Sequence, residues 1–514
     1  MELEEKQRSP DPGNILDRAI GWVSPKLGYA RMAWRTAMRS AYQAGEVSRR
    51  SEGWVPVNAK AEQVNQPQRD LIRARGRYAE RNSDIVGGPL GVLERNVVST
   101  GFRVQADTGD ETLNKQIESY FLEWQKPENC DVTAAQAFYE ICQMSVRRTS
   151  VDGGLLFVKA YQSAGRFPYQ LQAREVDDLD SASQFRRGNN YIVNGIEVNA
   201  YQRPVAYWLK ESSPDGWDTG IAQRVSANRV IALWKKTLPS QIREVSLLAP
   251  TIMRANDTEE YLEAVSIKEK ILASLSVFIK RLLPGGGAPG RGVAPTGVNQ
   301  DYDPKTGYKK KRISPGLITE LQPGDDVTAV IPTGQASNAK EFVAMHQRLI
   351  GAGQGLSYEA TSRDMSEVNY SSARQGLLED QKTYACWQQW LIDHMLTKVY
   401  RDVVTAGVLA GELKIPDFFQ QPEKYLRHAW IEPGWSWIDP VKEITANTKA
   451  IESGQDSLAN VCARVGYDWR EILEQIAKEK VYIKKLEEQY GITMTGGGAI
   501  AAGTKPGAQV GAEP

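Results

Sequence analysis

Three carboxylates fall close together in one short stretch of this sequence: Asp177, Asp178 and Asp180. Clustered carboxylates suit a hard divalent cation, because oxygen atoms are the ligands that such ions prefer. Two-metal catalysis would need a second group of ligands, and the sequence contains no second cluster. We therefore interpret the stretch as a solvated loop, and we predict no metal, no cofactor and no catalytic residue.

Other residue types that support catalysis are scattered. His346, His394 and His428 do not form an HExxH motif, and His346 and His394 are predicted to lie on helix faces. No GxxxxGK[ST] motif is present, which excludes a Walker-type phosphate-binding loop. The four cysteines show no paired metal spacing, which is typical of a reducing compartment without structural disulfides. We expect that the protein is not an enzyme.

Size and charge narrow the class of protein. A chain of 514 residues exceeds the usual size of one domain, so several domains or one elongated subunit are expected. The 63 basic residues are balanced by 63 acidic ones, so the whole chain is no general polyanion binder. Basic residues dominate 24–50, a predicted amphipathic helix whose charged face is either solvated or bound to nucleic acid or an acidic partner. No apolar run is long enough to span a membrane.

The first half of the chain predicts an α+β fold with an antiparallel sheet. One helix is expected over 66–98, where arginines should form surface ion pairs, and two helices are expected over 110–150. Asn194-Gly195 between apolar arms predicts a hairpin, because this dipeptide favours the turn that matches strand twist. Strands are expected at 155–161, 205–210 and 229–234.

The second half is predicted to be mostly helical. Residues 257–282 should form a helix that Asp257 and Glu260 open, and its apolar residues occupy more than one face. Such a helix must pack against several neighbours, which in a ring include adjacent copies. Residues 284–338 are rich in glycine and proline at first and then predict short strands. Further expected elements are helices at 340–356, 390–409 and 440–490 and a strand-like run at 428–437.

The most distinctive stretch, 355–378, predicts a polar loop between two helices. Gly351, Gly353 and Gly355 are expected to loosen the end of the first helix. Ser371 and Ser372 are expected to cap the second helix, because a serine hydroxyl satisfies a free amide of the first turn. The segment between them is rich in Ser, Asp, Glu and Asn.

Several motifs, in this order along the chain, resemble the portal proteins of lambda-type tailed phages. They are Gly195-Ile-Glu197, Arg203-Pro-Val-Ala-Tyr207, Pro239-x-Gln241-x-Arg243, Ser246-x-Leu-Ala-Pro250, Gly355-Leu-Ser-Tyr-Glu359, Asn369-Tyr-Ser-Ser-Ala-Arg374 and Asp439-Pro-Val-Lys-Glu443. The resemblance covers about residues 30–490. Two positions depart from the family pattern: Glu244 replaces a glycine after Arg243, and Thr361-Ser362-Arg363 replaces a more apolar sequence that contains glycine.

The resemblance implies a portal fold: an α/β wing, a helical stem, a small β-rich clip and a C-terminal helical crown, assembled as a ring. On this chain it implies a flexible N-terminus at 1–23, the wing at 24–256, stem helices at 257–282 and 340–356, the clip at 283–339, a tunnel loop at 357–371, a long helix and wing return at 372–438, the crown at 439–490 and a flexible tail at 491–514.

The same resemblance implies a function. Twelve copies would form a ring at one capsid vertex, and double-stranded DNA would pass through it, driven by a separate terminase. The ring would nucleate capsid assembly with major capsid and scaffolding proteins, and later dock head-completion and tail adaptor proteins. It would be assembled in the host cytoplasm and reside in the virion, without a membrane. The alternatives are another capsid-associated minor protein, or a DNA-processing enzyme that uses the cluster at 177–180.

Two sets of site residues follow from the resemblance. The DNA-facing tunnel loop would present Glu359, Arg363, Asp364, Glu367 and Asn369. The clip would dock the motor through Lys305, Lys309, Lys310, Lys311 and Arg312. Arg363 is the tunnel-loop residue best able to reach a phosphate, since a guanidinium fits phosphate geometry. The alternative is that Arg363 pairs with Asp364 or Glu367 of a neighbouring copy.

Overall fold

The computed structural model describes residues 56–273, 339–435 and 439–490, apart from short gaps at 163–164, 183–184, 213–217 and 367–368. Isolated pieces are also described at 20, 22–27, 278–279, 300–302, 309–311, 319–320, 494–495 and 499–500. The chain divides into two compact units, Met1–Lys60 and Ala61–Pro514. The predicted basic helix at 24–50 lies outside the described residues beyond position 27, as do most of the predicted clip and tail.

Helices dominate the first part of the second unit. In chain order they are α1 (Ala61–Asn82), α2 (Asp84–Val97), α3 (Glu111–Trp124), α4 (Pro127–Cys130) and α5 (Phe138–Val151), with strand β1 (Arg103–Ala106) after α2. The single helix predicted over 66–98 is wrong, because the chain becomes extended at Ser83, with φ −117° and ψ 117°. The Ser83 hydroxyl donates a hydrogen bond to Glu259 Oε1 at 2.6 Å, which fixes the break against a distant helix.

Two antiparallel sheets follow. A three-stranded sheet, in the order β3-β2-β9, contains β2 (Gly154–Tyr161), β3 (Tyr169–Arg174) and β9 (Val230–Trp234). A five-stranded meander contains β4 (Arg186–Arg187), β5 (Asn190–Val193), β6 (Ile196–Val198), β7 (Pro204–Ser212) and β8 (Asp218–Ser226). The predicted hairpin is confirmed: β5 pairs with β6, and Asn194 and Gly195 have φ values of 50° and 84°. Strands β3 and β8 were not predicted.

The second half of the unit is mostly helical. Its elements are α6 (Ile252–Ala273), β10 (Phe278–Ile279), β11 (Gln300–Tyr302), β12 (Lys309–Lys311), β13 (Thr319–Glu320), α7 (Ala339–Gln354), α8 (Tyr358–Ser362), α9 (Tyr370–Leu391), a π-helical turn (Ile392–Leu396), α10 (Thr397–Leu409), α11 (Pro422–Tyr425), β14 (His428–Ile431), α12 (Pro440–Glu452), α13 (Leu458–Arg464), α14 (Trp469–Tyr490), β15 (Met494–Thr495) and β16 (Ala499–Ile500). Among the described helices, none is long and apolar enough to cross a bilayer.

Helix α6 differs from the predicted stem helix at both ends. It begins at Ile252, so Asp257 lies inside it and does not cap it. Ile252 and Ala255 are buried, and this tertiary packing extends the helix beyond the local capping signal. At the other end, Phe278 and Ile279 form a short strand that pairs in parallel with β13, where the sequence predicted helix.

The largest described apolar core joins the helices and three-stranded sheet of the first half to the long helices of the second half. Phe121 of α3 packs edge-on against Tyr400 of α10, with ring centroids 5.6 Å apart. The buried Trp124 indole donates a hydrogen bond to the Tyr169 carbonyl at 2.8 Å. Strand β1 pairs with β14, so segments more than 300 positions apart share one ladder. The core therefore fixes α9 and α10 rigidly beside the sheet.

Candidate functional site

The stretch predicted to organise the chain is held between α7 and α9. Gly355, with φ 72°, ends α7 in the left-handed conformation, and its carbonyl accepts a hydrogen bond from Thr383 Oγ1 at 2.7 Å. Gly353 lies inside α7, where an added Cβ would come within 2.6 Å of Thr251 Cγ2. The expectation that Gly351 and Gly353 loosen the helix is therefore wrong, because both stay helical and allow close packing.

Ser357 and Asp380 anchor the start of the predicted tunnel loop. Asp380 accepts a hydrogen bond from Ser357 N at 2.7 Å and another from Ser357 Oγ at 2.6 Å. Ser357 Oγ in turn accepts from Ala360 N at 3.2 Å and so caps α8. Burial raises the pKa of Asp380, although the bonds from Ser357 favour its charged form. The loop predicted at 357–371 is thus helical over its first third.

Arg363 follows α8 in an unusual backbone conformation. Its φ is 56°, and its backbone N donates to the Glu359 carbonyl at 2.9 Å, which ends the helix. The side chain is exposed. Asp364 accepts hydrogen bonds from Ser366 Oγ at 2.6 Å and from Ser366 N at 3.0 Å, which lower its pKa. Within one copy, the Asp364 carboxylate therefore stabilises the turn that contains Ser366 and does not pair with Arg363.

Asn369 is committed to the start of α9. Its Oδ1 accepts a hydrogen bond from Ser372 N at 2.9 Å, as an N-cap residue does. The prediction that Ser371 and Ser372 cap this helix is wrong, because the helix begins at Tyr370 and the amide side chain just before it takes the role. Asn369 is thus a structural cap, and Glu367 lies outside the described residues.

Beside this segment lies a cleft of about 390 Å³ between α2, α8 and α9. Three arginines line it: Arg95 of α2, Arg363 and Arg374 of α9. All three are exposed, and none forms an ion pair with a residue that the structure describes. Two carboxylates, Glu359 and Asp380, line the same cleft. The arrangement suits loose contact with an anion, because the positive charge is only partly offset.

Sequence reasoning had singled out only one of these arginines. Arg374 ends the motif Asn369-Tyr-Ser-Ser-Ala-Arg374, so its position in the family pattern was a usable signal. Arg95 precedes Arg363 by more than 250 positions, and nothing local to α2 indicates that the two face one cleft. Only the packing of α8 on α2 brings them together.

The predicted motor-docking lysines are described only in part. Lys309, Lys310 and Lys311 form β12, which pairs antiparallel with β11 so that Lys310 stands opposite Asp301. Lys305 and Arg312 lie outside the described residues. The short strand that the sequence predicts at 327–331 also lies outside the described residues. The role of the five basic residues in docking the motor stays a prediction.

The prediction that 177–180 is a solvated loop is wrong for Asp177 and Asp178, because arginines pair with both carboxylates. Asp177 pairs with Arg77 at 2.6 Å and with Arg73 at 3.1 Å, and Asp178 pairs with Arg174 at 2.5 Å. Within the part of the chain that the structure describes, no group of three or more metal-ligating side chains is found. The prediction that His346 and His394 lie on helices is confirmed: His346 bonds Thr258 Oγ1 at 2.7 Å, and His394 lies in the π-helical turn.

Glu244, one of the departures from the family pattern, lies in a buried network of charges. Its Oε1 lies 2.7 Å from Arg243 Nη2 and 3.2 Å from Arg73 Nη1, and all three side chains are buried. Glu62 accepts hydrogen bonds from the backbone of Arg243 and Ile242 and pairs with Arg69. The expectation of surface ion pairs along 66–98 is therefore wrong for Arg69 and Arg73.

Comparison with known proteins places the chain in a family. The model of the lambda family of phage portal proteins matches residues 47–388, which is more than half of the sequence. This chain therefore belongs to the lambda family of phage portal proteins. That match spans the sheets, the buried network and the segment from Gly355 to Arg374.

Individual relatives agree with this. A "Probable portal protein" of Halomonas phage phiHAP-1 is 26% identical over 438 residues, which is 83% of each chain. "Portal protein B" of Escherichia phage lambda is 19% identical over 459 residues, covering 83% of this chain and 86% of the relative.

Two solved structures are also similar. A chain from the "Neck of native GTA particle" is 11% identical, with 80% and 95% of the two chains covered and a TM-score of 0.37. An HK97 family phage portal protein from Corynebacterium diphtheriae is 9% identical, with 72% and 96% covered and a TM-score of 0.28. These TM-scores are low, so the solved structures say nothing about how the parts of this chain are arranged.

Proposed function

We propose that this portal protein forms a ring of about twelve copies at one capsid vertex, through which double-stranded DNA is packaged and ejected. The observation that carries the proposal is the family match over 47–388. Copy number and DNA passage follow from the family resemblance. The features of single copies described next support them.

Helices α6 and α7 support assembly into a ring. They run antiparallel, since the Tyr261 ring packs against Phe342 with centroids 4.3 Å apart while Thr258 is hydrogen-bonded to His346. Several of their apolar side chains stay exposed in one copy; they include Leu262, Ile267, Met345 and Leu349. Exposed apolar surface of this kind marks sites of protein association. Adjacent copies in a ring would cover it.

The arginine cleft supports a weak contact with DNA. A channel wall should avoid tight phosphate pairing, because each bound phosphate would hold the DNA and make binding depend on salt. Three guanidinium groups opposed by Glu359 and Asp380 give only a small positive excess. Segment 363–369 would project towards the axis and touch passing DNA loosely, with Arg363 as its main contact.

The remaining roles concern partners. The clip at 283–339 would face the terminase and the head-completion and tail adaptor proteins. The wing and crown would face major capsid and scaffolding proteins, and the ring would be assembled in the host cytoplasm and stay in the virion. The chain would act as a structural component and not as an enzyme, since arginines already engage the carboxylates Asp177 and Asp178.

Electron microscopy and native mass spectrometry of the purified full chain test this function. We expect closed rings of about twelve copies with an axial opening wide enough for a DNA duplex. A stable monomer at all working concentrations, with α6 and α7 protected from hydrogen exchange, would overturn the proposal. Complementation of a portal-deficient phage then tests packaging itself.

A further inference from the structure

The C-terminal helices α12, α13 and α14 have almost no core of their own. Between residues 440 and 490 the only buried side chain is that of Cys462. Helices α12 and α14 bury no residue at all, although α14 has 22 residues. An isolated helix of this length is only marginally stable in water, and most helices in proteins depend on packing of an apolar face. Within the described chain, the start of α14 is held by polar pairs such as Arg103 with Glu471 and Lys115 with Glu474, and no apolar core covers α12 or the rest of α14.

Helix α14 has a regular apolar stripe. Trp469, Ile472, Ile476, Ile483, Leu486 and Tyr490 follow alternating spacings of three and four, and Glu479 occupies the one skipped position. This is the pattern of a helix that packs along its length against another helix. Leu473 and Tyr482 flank it and are 43% and 62% exposed. Within the stripe, Ile476 and Tyr490 are 39% and 65% exposed, and the other four residues are partly buried. The exposed part of this face is available for contact.

Helix α12 has a second, shorter stripe. Val441, Ile444, Thr448 and Ile451 are spaced by three, four and three positions, and all four are exposed. Val441 is 75% exposed. The α12 stripe is thus open, and the α14 stripe keeps exposed residues of its own. The chain thus presents two separate apolar faces within one short segment.

We infer that the α14 stripe of one copy packs against the α12 stripe of the next copy around the ring, an inference that rests on the proposed ring. Two different faces on one chain make a head-to-tail contact, and such a contact repeats until the ring closes. Each copy then gives one stripe and receives the other. No side chain of the monomer core has to move.

The exposed area is large enough for such a contact. Ten large apolar side chains between 440 and 490 are exposed in one copy. Tyr482 and Tyr490 alone each offer roughly 100–150 Å² that a partner could cover, given the size of an aromatic side chain. Seven of the ten lie on or beside the two stripes, so this contact would supply part of the roughly 800 Å² per partner of a stable interface. They are Val441, Ile444, Ile451, Leu473, Ile476, Tyr482 and Tyr490.

Charge argues against the other occupants. Residues 440–490 contain eight basic and nine acidic side chains, so this segment has no affinity for a polyanion such as DNA or for an anionic membrane. A second copy of this chain also supplies both stripes at once and at the stoichiometry of the ring. The occupant is therefore another copy.

Introducing a charge into each stripe tests the contact in the full-length protein. Ile476→Glu on α14 and Val441→Glu on α12 should each lower the yield of closed rings at least tenfold, as measured by native mass spectrometry. Lys484→Glu is the matched control, because it alters an exposed charge off the stripe and should keep the rings intact. Neither stripe residue is buried in one copy, so circular dichroism and the melting of the monomer should stay unchanged.

Crosslinking shows which helices meet. In a Cys386→Ser background, which removes the exposed thiol, Val441→Cys with Ile476→Cys should give a ladder of covalent multimers with a bifunctional maleimide. Each single cysteine variant should give none. Dimers from Ile476→Cys alone would mean that α14 of one copy contacts α14 of another copy, which overturns the head-to-tail contact. Rings that form normally in all glutamate variants would overturn the inference and leave the ring standing, whereas a monomeric wild type would overturn both.

Discussion

Asp380 accepts both the backbone N–H and the hydroxyl of Ser357, at 2.7 and 2.6 Å, and so ties the start of the predicted tunnel loop to the long helix α9. The two residues lie 23 positions apart, on opposite sides of the loop. Together with the cap of α8 and its packing on α2, this contact holds 357–362 in place.

Removing this anchor should loosen the segment without unfolding the subunit. We expect Asp380→Ala to destabilise the 357–366 region by about 1–3 kcal/mol, the range for hydrogen bonds to a charged group. Hydrogen exchange should become faster at 357–366 and stay slow in α10, whose apolar side chains are deeply buried in the main core. Glu379→Ala, at an exposed neighbouring position, should change neither. Equal exchange in Asp380→Ala and wild type would contradict the anchoring role.

The Glu244 side chain should be essential for folding. Glu244→Ala leaves Arg243 and Arg73 buried with less negative charge, and breaking a buried ion pair costs about 3–5 kcal/mol. Urea denaturation should show that loss, or the protein should become insoluble. Glu175→Ala, which removes an exposed partner of Arg77, should cost less than 1 kcal/mol. Similar unfolding midpoints for the two variants would refute the role of the network.

Stability should depend on pH through Glu62. Burial alone would raise the pKa of this carboxylate, but hydrogen bonds from the backbone of Arg243 and Ile242 and the charge of Arg69 leave it below the ordinary value of 4.5. A lowered pKa means that the contribution to stability is complete above about pH 4.5 and is lost as the pH falls through the folded value.

Thermal melting between pH 6 and pH 3.5 checks this. The melting temperature of the wild-type protein should fall steeply below about pH 4.5. The melting temperature of Glu62→Gln should be lower at pH 6 and should fall less steeply, because glutamine has no charge to lose. Glu128→Gln, at an exposed position, should follow the wild-type curve. Parallel curves for wild type and Glu62→Gln would show that this carboxylate does not titrate on unfolding.

Arg363 should affect DNA and not assembly. Arg363→Ala should leave the ring mass unchanged and alter the retention of packaged DNA. For purified rings, the slope of log affinity against log salt should fall by up to about 0.9 for each lost phosphate contact. Arg363→Lys keeps the charge, so its slope should lie between those of wild type and Arg363→Ala. Arg75→Ala, at an exposed position on α1, should have the wild-type slope. A smaller ring in Arg363→Ala would instead favour pairing with a neighbouring copy.

The predicted clip can be removed as a test of its role. Deleting residues 285–312 should leave the wing folded, since the described main apolar core is built from residues within 92–171, 231–233 and 356–426. Packaging that depends on the terminase should be abolished, while monomer circular dichroism and the melting of the wing persist. Normal packaging by the deletion variant would show that the basic residues 305–312 do not dock the motor.

The sequence by itself determined the elements that local chemistry specifies. Asn194-Gly195 favours a left-handed turn at both positions, and the structure shows that turn. The strands at 155–161, 205–210 and 229–234 lie inside β2, β7 and β9 or within one residue of them, because apolar β-branched runs signal them. The family motifs likewise identified the class of protein, since they are short and contiguous.

Only the tertiary structure decided which distant residues meet. From the sequence, Glu244 was only a departure from the glycine of the family pattern. The structure shows that its buried partner is Arg73, 171 positions away. The start of α6 at Ile252 and the break at Ser83 also depend on packing against other segments. The arginine cleft exists because α8 packs on α2, which brings Arg95 beside Arg363. Local patterns report backbone preference over a few residues, whereas pairings of this kind are settled by the burial of charge and apolar area across the whole fold.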